Sequence, residues 1–233
     1  MIVLTGVSGF IGGHLYTYLD DLGYDVESFD MRTDSLLEIG EDISVLIHCA
    51  WPKLPLQDSA HSEFIVDSMK LFDECKNKGI RVINIGSSSE YGVKIEPMKE
   101  SMRCEPITAY GIAKLAVTLY AKKLGFNTLR LFTVTGDGGK SFFDVKDSSG
   151  KWGCPSDVRD IVPIEIVTKA VERLIHAPHL YGEIINVGTG NGIRYGEMST
   201  GKDKGKWLKY PQRQYEPRYW EADTTKMKRL LNL

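Results

Sequence analysis

A glycine-rich turn directly after the first apolar run constrains the fold of this chain more than any other feature. Ile2-Val3-Leu4 is typical of a short buried strand, and Thr5-Gly6-Val7-Ser8-Gly9-Phe10-Ile11-Gly12 then leads into a helical pattern. Such a turn lets the backbone approach a pyrophosphate and directs the free N–H groups of the helix N-terminus at the anion. The sequence therefore predicts a dinucleotide-binding turn with contacts from Gly6, Ser8, Gly9, Phe10, Ile11 and Gly12.

An acidic residue ends the second apolar run. Asp30 follows Val26–Phe29 and lies near the position, about 20 residues beyond the glycines, where dinucleotide-binding folds place an acid on the adenosine ribose. A carboxylate there repels the 2′-phosphate of NADP, so NAD is the favoured cofactor. Arg32 lies two residues further on and would offset that charge, which leaves NADP as the alternative.

Short apolar runs alternate with amphipathic segments along the chain. We predict strands at 2–4, 26–29, 45–49, 82–85, 128–132 and 184–187, and helices at 10–22, 63–77, 107–124 and 164–175. Most strand runs are continuous rather than alternating, as expected when helices cover both faces of a parallel sheet. The sequence therefore predicts an α/β fold, a Rossmann-like doubly wound parallel sheet with a small, shortened C-terminal substrate lobe.

The pattern changes after Gly136. Residues 137–160 are rich in Gly, Ser, Asp and Lys and predict a loop or crossover, whereas 196–218 show weak periodicity. We expect an NAD(P)-binding domain with the catalytic residues at 1–136 and a reduced substrate lobe at 137–233. A strand and helix at about 161–190 would pack back on the first domain, and no final helix is expected near residue 233.

Composition excludes several functional classes. The 233 residues carry 29 Lys and Arg against 31 Asp and Glu, for a formal charge of −2, which disfavours binding to nucleic acid or to an anionic membrane. No apolar stretch of about 18 residues predicts a membrane span. The four cysteines are widely spaced and no His lies at metal-ligand spacing, so we predict no metal site and a cytoplasmic location.

Two groups of residues suggest acid–base catalysis. Tyr110 and Lys114 are spaced to share one helix face, where the ammonium would lower the pKa of the phenol. A half-buried Tyr beside a solvated Lys is the alternative. Ser87-Ser88-Ser89-Glu90 follows a predicted strand, and a serine at a strand end can hydrogen-bond both the Tyr and a substrate oxygen. A Ser-rich turn without function is the alternative there.

The ordered motifs resemble the extended short-chain dehydrogenase/reductase superfamily, in particular its NAD-dependent epimerase/dehydratase branch of sugar-nucleotide enzymes. Beyond the glycine turn, the similar segments are Ile47-His48-Cys49-Ala50, Gly86 to Gly92, Pro106 to Lys114, Arg130 to Gly136, Arg159-Asp160-Ile161-Val162, Gly182 to Gly190 and Ala222 to Lys226. The resemblance covers nearly the whole chain.

The resemblance implies specific roles. Ser88 would be the catalytic hydroxyl, with Ser89 as the alternative, Tyr110 the acid/base, and Lys114 the ligand of the nicotinamide ribose. Glu90 lies where dehydratases of the family place an acid, or else is a solvated turn carboxylate. Cys49 and Ala50 would line the nicotinamide half of the site. Ser88, Thr133 and Arg159 would contact substrate, although Arg159 has pairing with a neighbouring carboxylate as an equal alternative.

The implied activity is an NAD(P)-dependent transformation of a sugar, in particular a nucleotide-linked sugar. A 4-keto reductase or epimerase is favoured over a dehydratase, since a shortened lobe encloses a multistep reaction poorly. The alternatives are a reductase of a small non-sugar carbonyl compound and a cofactor-sensing regulator without turnover. The resemblance also implies a homodimer formed through the helices at 63–77 and 107–124. Packing is the expected role of His48 and of most tryptophans.

Overall fold

The fold was described from a computed structural model, which describes residues 1–31, 34, 42–55, 58–138, 156–194, 197 and 218–233. The strands are β1 (Ile2–Thr5), β2 (Val26–Phe29), β3 (Val45–His48), β4 (Arg81–Ser87), β5 (Asn127–Leu131), β6 (Thr133–Thr135), β7 (Val158–Pro163), β8 (Ile184–Val187), β9 (Gly192–Arg194) and β10 (Tyr219–Trp220). The helices are α1 (Phe10–Asp21), α2 (His61–Asn77), α3 (Ala109–Leu124), α4 (Ile164–Ile175) and α5 (Thr225–Leu231). All six predicted strands and all four predicted helices are confirmed, with small shifts at their ends.

Six parallel strands form the main sheet in the order β2-β1-β3-β4-β5-β8. The order reverses between β1 and β3, because β2 lies on the outer side of β1 and the later strands follow β3. Such a reversal opens a crevice at the carboxyl ends of the two strands, where ligands of open α/β sheets bind. The predicted α/β fold with a doubly wound parallel sheet is confirmed.

Helices cover both faces of this sheet, which explains why β1, β3 and β8 are mainly apolar and buried at every residue. On one face, Leu15 and Leu19 of α1 and Val167 of α4 pack with the strand residues Leu4 and Ile47. On the other face, buried residues of α2 (Leu71 and Phe72) and of α3 (Val117 and Ala121) pack against the sheet. Their partners are the strand residues Val3, Leu46 and Val82. Strands buried on both sides gain apolar burial at every residue, so the period of two is lost.

A smaller sheet lies beyond the main one, with β7 between β10 and β6 and with β9 also pairing to β7. The prediction of a loop or crossover over 137–160 is wrong for Val158, Arg159 and Asp160, which begin β7. Residues 139–155 of that segment, and most of 196–218, lie outside the described residues. β8 is the last strand of the main sheet and α4 packs on α1. The division at residue 136 stays a prediction.

One buried carboxylate joins the two sheets. Asp160 is fully buried and accepts hydrogen bonds from the backbone N–H and the hydroxyl of Thr189, and from the N–H groups of Gly190 and Ala222. These bonds fix the loop after β8 and the segment that leads into α5. The expectation that no helix follows that segment is wrong, since α5 covers Thr225–Leu231 and buries Met227 and Leu231.

Two further findings concern membrane-spanning helices and metal sites. None of the described helices combines the length and the apolar character needed to cross a membrane. Within the same ranges, no three His, Cys, Asp or Glu side chains come together as the ligands of a metal ion would.

Candidate active site

The predicted glycine turn lies at the carboxyl end of β1, at the reversal of the sheet. Gly6 has a φ of +75°, and a Cβ there would be 2.6 Å from the backbone N of Ala50. A Cβ on Gly12 would be 2.2 Å from the carbonyl oxygen of Gly6. Only glycine permits this approach of the turn to α1 and to the end of β3. Among the described residues, no side chain caps α1 at its N-cap residue Gly9, so its first N–H groups face outward.

A hydrogen-bond network fixes the end of β3 beside this turn. The hydroxyl oxygen of Thr5 accepts from the N–H groups of Cys49 and Ala50, so its hydrogen is left to donate to Nδ1 of His48 at 3.1 Å. Nε2 of His48 then donates to Ser68, whose hydroxyl donates to Phe64 O. Burial, and secondarily the Lys114 charge, lowers the pKa of His48 to about 3, so it stays neutral. The packing role predicted for His48 is confirmed.

A cleft follows the turn along α1. The residues that line it include Ser8, Gly9, Phe10, Gly13, His14, Lys53 and Asp137. Nε2 of His14 lies 2.7 Å from the carbonyl oxygen of Asp137, which joins α1 to the segment after β6. Asp30 directly follows β2, and its N–H donates to the carboxylate of Asp34. Arg32, the other predicted adenosine contact, lies outside the described residues.

The hydroxyl partner of Tyr110 is Ser87, the last residue of β4. Ser87 is also the N-cap of a 3₁₀ turn over Ser88–Glu90, where its side chain accepts from the N–H of Ser89 and Glu90 reaches back to the N–H of Ser87. Ser88, the predicted catalytic hydroxyl, lies inside that turn and is buried. In the structure, the contact with Tyr110 is therefore made by Ser87, the residue before the predicted Ser88.

The electrostatic state of Tyr110 differs from the expectation. Burial of its hydroxyl, opposed by the Ser87 hydrogen bond and reinforced by the negative charge of Glu90, raises the pKa of Tyr110 to about 12. The predicted lowering of the Tyr110 pKa is wrong, because burial of the phenol outweighs the Ser87 hydrogen bond. Tyr110 is consequently a neutral phenol at neutral pH.

Lys114 lies one turn further along α3 and is buried. Its ammonium donates to Ile85 O of β4 at 2.8 Å and lies 4.1 Å from the ring centroid of Trp51. Burial lowers the pKa of Lys114 to about 8, against the opposing effect of the negative charge of Glu90. The alternative of a solvated Lys at this position is wrong. Cys49 contributes a thiol whose pKa burial raises to about 12, so it remains protonated.

Glu90 is fully buried and is bound by three elements. One carboxylate oxygen, Oε1, accepts from the backbone N–H of Ser87 at 2.8 Å and from the hydroxyl of Thr118 on α3 at 3.0 Å. The other, Oε2, accepts from Nε of Arg130 on β5 at 2.7 Å. The alternative of a solvated turn carboxylate is wrong. Both oxygens are held by structural partners, which is not the arrangement expected of an acid that reaches substrate.

The network extends from this ion pair to the far edge of the sheet. The Arg130 guanidinium lies 4.6 Å from the ring centroid of Tyr91, whose hydroxyl donates to Asn186 of β8 at 2.7 Å. Asn186 donates in turn to Met98 O. The turn after β4 is thereby tied to β5 and β8 as well as to α3.

Two of the three predicted substrate residues, Thr133 and Arg159, lie in the smaller sheet. Thr133 begins β6 and is partly buried. Arg159 of β7 is 3% exposed, donates from Nη1 to Val158 O at 2.8 Å, and lies 5.2 Å from the ring centroid of Trp220. Ser87, Tyr110 and Lys114 come from the main sheet and α3, so the structure groups those three and places Thr133 and Arg159 on a separate element.

Sequence reasoning missed two residues of the site. Ser87 had a recognisable signal, because Ser-x-x-Glu at a strand end is the capping-box pattern that identifies Ser87 as the residue outside the turn. Trp51 had no such signal. Its contacts with Lys114 and Tyr110 depend on how β3 and α3 are brought together by the fold.

Comparisons with known proteins find a matching family model and two curated relatives. A family model described as the NAD dependent epimerase/dehydratase family matches residues 2–188. The chain is 24% identical over 242 residues to the uncharacterized UDP-glucose epimerase YtcB of Bacillus subtilis, which covers 80% of this chain and 76% of that relative. It is 22% identical over 167 residues to the dTDP-6-deoxy-L-talose 4-dehydrogenase (NAD(+)) of Aggregatibacter actinomycetemcomitans, which covers 58% of this chain and 62% of that relative.

Solved structures share the fold. The structure of MoeE5 in complex with UDP-glucuronic acid and NAD superposes with a TM-score of 0.85 at 23% identity, covering 100% of this chain and 92% of that one. The similarity extends over both the main sheet and the smaller one.

The Glu90 ion pair generates a stability prediction. Glu90→Ala leaves the buried Arg130 charge unpaired, so we expect the free energy of unfolding to fall by about 3–5 kcal/mol in urea denaturation. Glu105→Ala is the matched control, because Glu105 pairs with Arg103 and Lys94 through a side chain that is 57% exposed. That variant should lose at most about 1 kcal/mol. Equal losses in the two variants would contradict a structural role for the buried pair.

Proposed function

The chain belongs to the NAD dependent epimerase/dehydratase family, and from that premise we propose that it transforms a nucleotide-linked sugar by NAD-dependent oxidoreduction, as a 4-keto reductase or an epimerase. The observation that carries the proposal is the grouping of Ser87, Tyr110 and Lys114 at the carboxyl end of β4. The glycine turn after β1 lies at the same edge of the sheet. A regulator without turnover would not require these three side chains together.

The residues present fit NAD. A Cβ at Gly6 or Gly12 would fill the space in which the turn approaches β3 and α1, and the N-terminus of α1 is open to a pyrophosphate. We assign the predicted turn residues to the pyrophosphate, Asp30 to the adenosine ribose, and Lys114 to the nicotinamide ribose. When bound, NAD supplies a nicotinamide carbon that accepts or returns a hydride.

The protein's own part in the reaction is proton transfer and positioning. As a neutral phenol, Tyr110 can donate its proton to the oxygen of a carbonyl that is being reduced to an alcohol. In the opposite direction, its phenolate would take the proton of the alcohol. Ser87 is hydrogen-bonded to Tyr110 and can orient the same substrate oxygen, and we propose Ser87 in place of Ser88 as the catalytic hydroxyl.

The hydrogen bonds of Glu90 support a choice among the members of this set. Elimination of water in a dehydratase needs an acid near the leaving hydroxyl, and Glu90 was the predicted candidate. Its two oxygens are bound by Ser87, Thr118 and Arg130 instead. We therefore propose Glu90 as a positioning residue, and reductase or epimerase chemistry ahead of dehydration.

The substrate class follows from the relatives. The Bacillus subtilis relative is described as a UDP-glucose epimerase, and the second curated relative as a dehydrogenase of a dTDP-linked sugar at its fourth carbon. MoeE5 binds UDP-glucuronic acid. These proteins support a nucleotide-linked sugar as substrate here, with Thr133 and Arg159 as the proposed contacts to it.

The proposal is tested by binding and turnover together. Calorimetry with UDP-, GDP-, dTDP- and CDP-sugars should detect binding of at least one class in the presence of NAD. Tyr110→Phe should lower kcat for the bound sugar by about 100-fold or more and leave NAD affinity nearly unchanged. If no nucleotide sugar of the four classes binds and the protein reduces a small carbonyl compound instead, the proposed sugar substrate is wrong. The small carbonyl compound then takes its place as the substrate.

The assignment of the hydroxyl is a separate prediction. Ser87→Ala removes the contact with Tyr110 and should lower kcat by about 100-fold, whereas Ser88→Ala should change kcat by less than about threefold. Ser87→Thr keeps a hydroxyl and should recover part of the rate. A larger loss in Ser88→Ala than in Ser87→Ala would restore the original assignment.

We further propose a homodimer that forms through α2 and α3. These helices pack on each other and leave large apolar side chains on their outer surfaces, where Val66 is 51%, Ile112 55% and Leu119 54% exposed. Ile112 and Leu119 are seven residues apart and therefore share one face of α3. An apolar face of this kind is typical of an interface between subunits.

The dimer is tested by one charge substitution and its control. Leu119→Glu should convert the dimer into a monomer in light scattering, because a carboxylate would be buried at the interface without a partner. Leu22→Glu places the same charge on a Leu that is 51% exposed at the end of α1, and should leave the mass unchanged. A monomeric wild-type chain at micromolar concentration would contradict the proposal.

The proposed compartment is the cytoplasm. Cys49, Cys75 and Cys104 are free thiols in the structure, and Cys154 lies outside the described residues. The cytoplasmic location itself stays a prediction from the sequence.

A further inference from the structure

An aromatic side chain that no motif singled out covers the catalytic lysine. Trp51 comes directly after Cys49-Ala50 at the end of β3, and its ring centroid lies 4.1 Å from Nζ of Lys114. The same indole meets the ring of Tyr110 edge to face, with centroids 5.9 Å apart. Trp51 therefore contacts both side chains of the Tyr-x-x-x-Lys pair, although it lies on another element.

The plane of the indole is fixed from its outer edge. Nε1 of Trp51 donates to Nδ1 of His61 on α2 at 3.1 Å. His61 must then carry its hydrogen on Nε2, which lies 3.0 Å from Pro55 O and donates to it. Phe64 of α2 packs edge to face on the indole, with centroids 5.1 Å apart. The indole is thus held by a buried histidine and an aromatic neighbour.

Lys114 needs such a partner because it is buried. An ammonium removed from water loses hydration that the hydrogen bond to Ile85 O replaces only in part. The face of an indole attracts a cation, and the attraction is largest for desolvated pairs. The other charged or titratable groups that face Lys114 are Glu90 from the turn after β4, Cys49 and His48 from β3, and Tyr110 from its own helix.

These groups do not replace the indole. Glu90 attracts the ammonium and raises its pKa, but its carboxylate is already paired with Arg130, and His48 and the Cys49 thiol are neutral. Tyr110 is neutral as well. The Trp51 face therefore joins Ile85 O as a second group that lies directly against the ammonium.

We propose that Trp51 is a positioning residue that keeps Lys114 charged and directed toward the cofactor ribose, and so sets the upper pH limit of cofactor binding. The role of Lys114 toward the ribose rests on the proposed function. The effect of Trp51 on the charge of Lys114 is a property of the chain alone and is measurable without cofactor.

The primary experiment follows the ionisation of Lys114 directly. The ¹³C resonance of its Cε is titrated by NMR in the cofactor-free, lysine-labelled protein and assigned with Lys114→Arg. The wild-type midpoint is expected at about 8. Trp51→Leu removes the aromatic face and should lower the midpoint by about one pH unit, whereas Trp51→Phe keeps an aromatic face and should lower it by about half as much.

A matched control removes another aromatic ring from another lysine. Nζ of Lys76 lies 5.4 Å from the ring centroid of the exposed Tyr181, so Tyr181→Leu deletes a cation–π contact remote from the site. It should leave the Lys114 midpoint unchanged. An unchanged midpoint in Trp51→Leu, with the fold intact by circular dichroism, would overturn the proposal.

The second readout is NADH affinity, measured by fluorescence from pH 6.5 to 9.5. The sign follows from Lys114, which is charged below its midpoint and neutral above it, so Kd should rise as the pH passes the midpoint. Trp51→Leu should move that rise to lower pH by the same interval as the NMR midpoint. An equal loss of affinity at every pH would indicate packing alone and would overturn the proposal. If the wild-type chain binds no NADH, the proposed function fails, while the NMR midpoint still decides the role of Trp51.

Discussion

The buried ion pair between Glu90 and Arg130 is the interaction on which the site depends. Two charges removed from water are costly, and such a pair is tolerated only when further hydrogen bonds satisfy it. Here the extra bonds come from the N–H of Ser87 and the hydroxyl of Thr118. The same bonds hold the end of β4 against α3 and β5, so the position of Ser87 relative to Tyr110 is set by the ion pair rather than by the local turn alone.

Most of the fold was predictable from the sequence because the main sheet is buried on both faces. Continuous apolar runs specify such strands, and all six of them occur where the runs are. The start of β7 was missed for the opposite reason. Arg159 and Asp160 are charged residues in a strand, and Asp160 is tolerated there only because four donors from distant segments satisfy its carboxylate. A local sequence pattern does not reveal hydrogen bonds between residues that lie so far apart in the chain.

The serine that contacts Tyr110 was predictable to within one residue, and the errors have physical causes. The motif placed a serine beside Tyr110, but choosing among three consecutive serines requires knowing where β4 ends, and element boundaries are the least certain part of a pattern. The pKa of Tyr110 was predicted in the wrong direction because spacing on a helix reveals a neighbouring charge and does not reveal burial. The contacts of Trp51 could not be predicted for a related reason. Its partners lie on other elements of the fold, α2 and α3.

These electrostatic features favour one direction of proton transfer. A neutral phenol at Tyr110 is ready to protonate a reduced carbonyl oxygen, so reduction needs no prior change of its charge. Oxidation of an alcohol needs the phenolate, which the buried environment and the Glu90 charge disfavour until a ligand supplies compensating interactions. A reductase needs Tyr110 only as the proton donor, whereas an epimerase needs it as donor in one half-reaction and as acceptor in the other. For an epimerase, the interactions that a bound ligand makes with Tyr110 would therefore have to offset the cost of its buried phenolate.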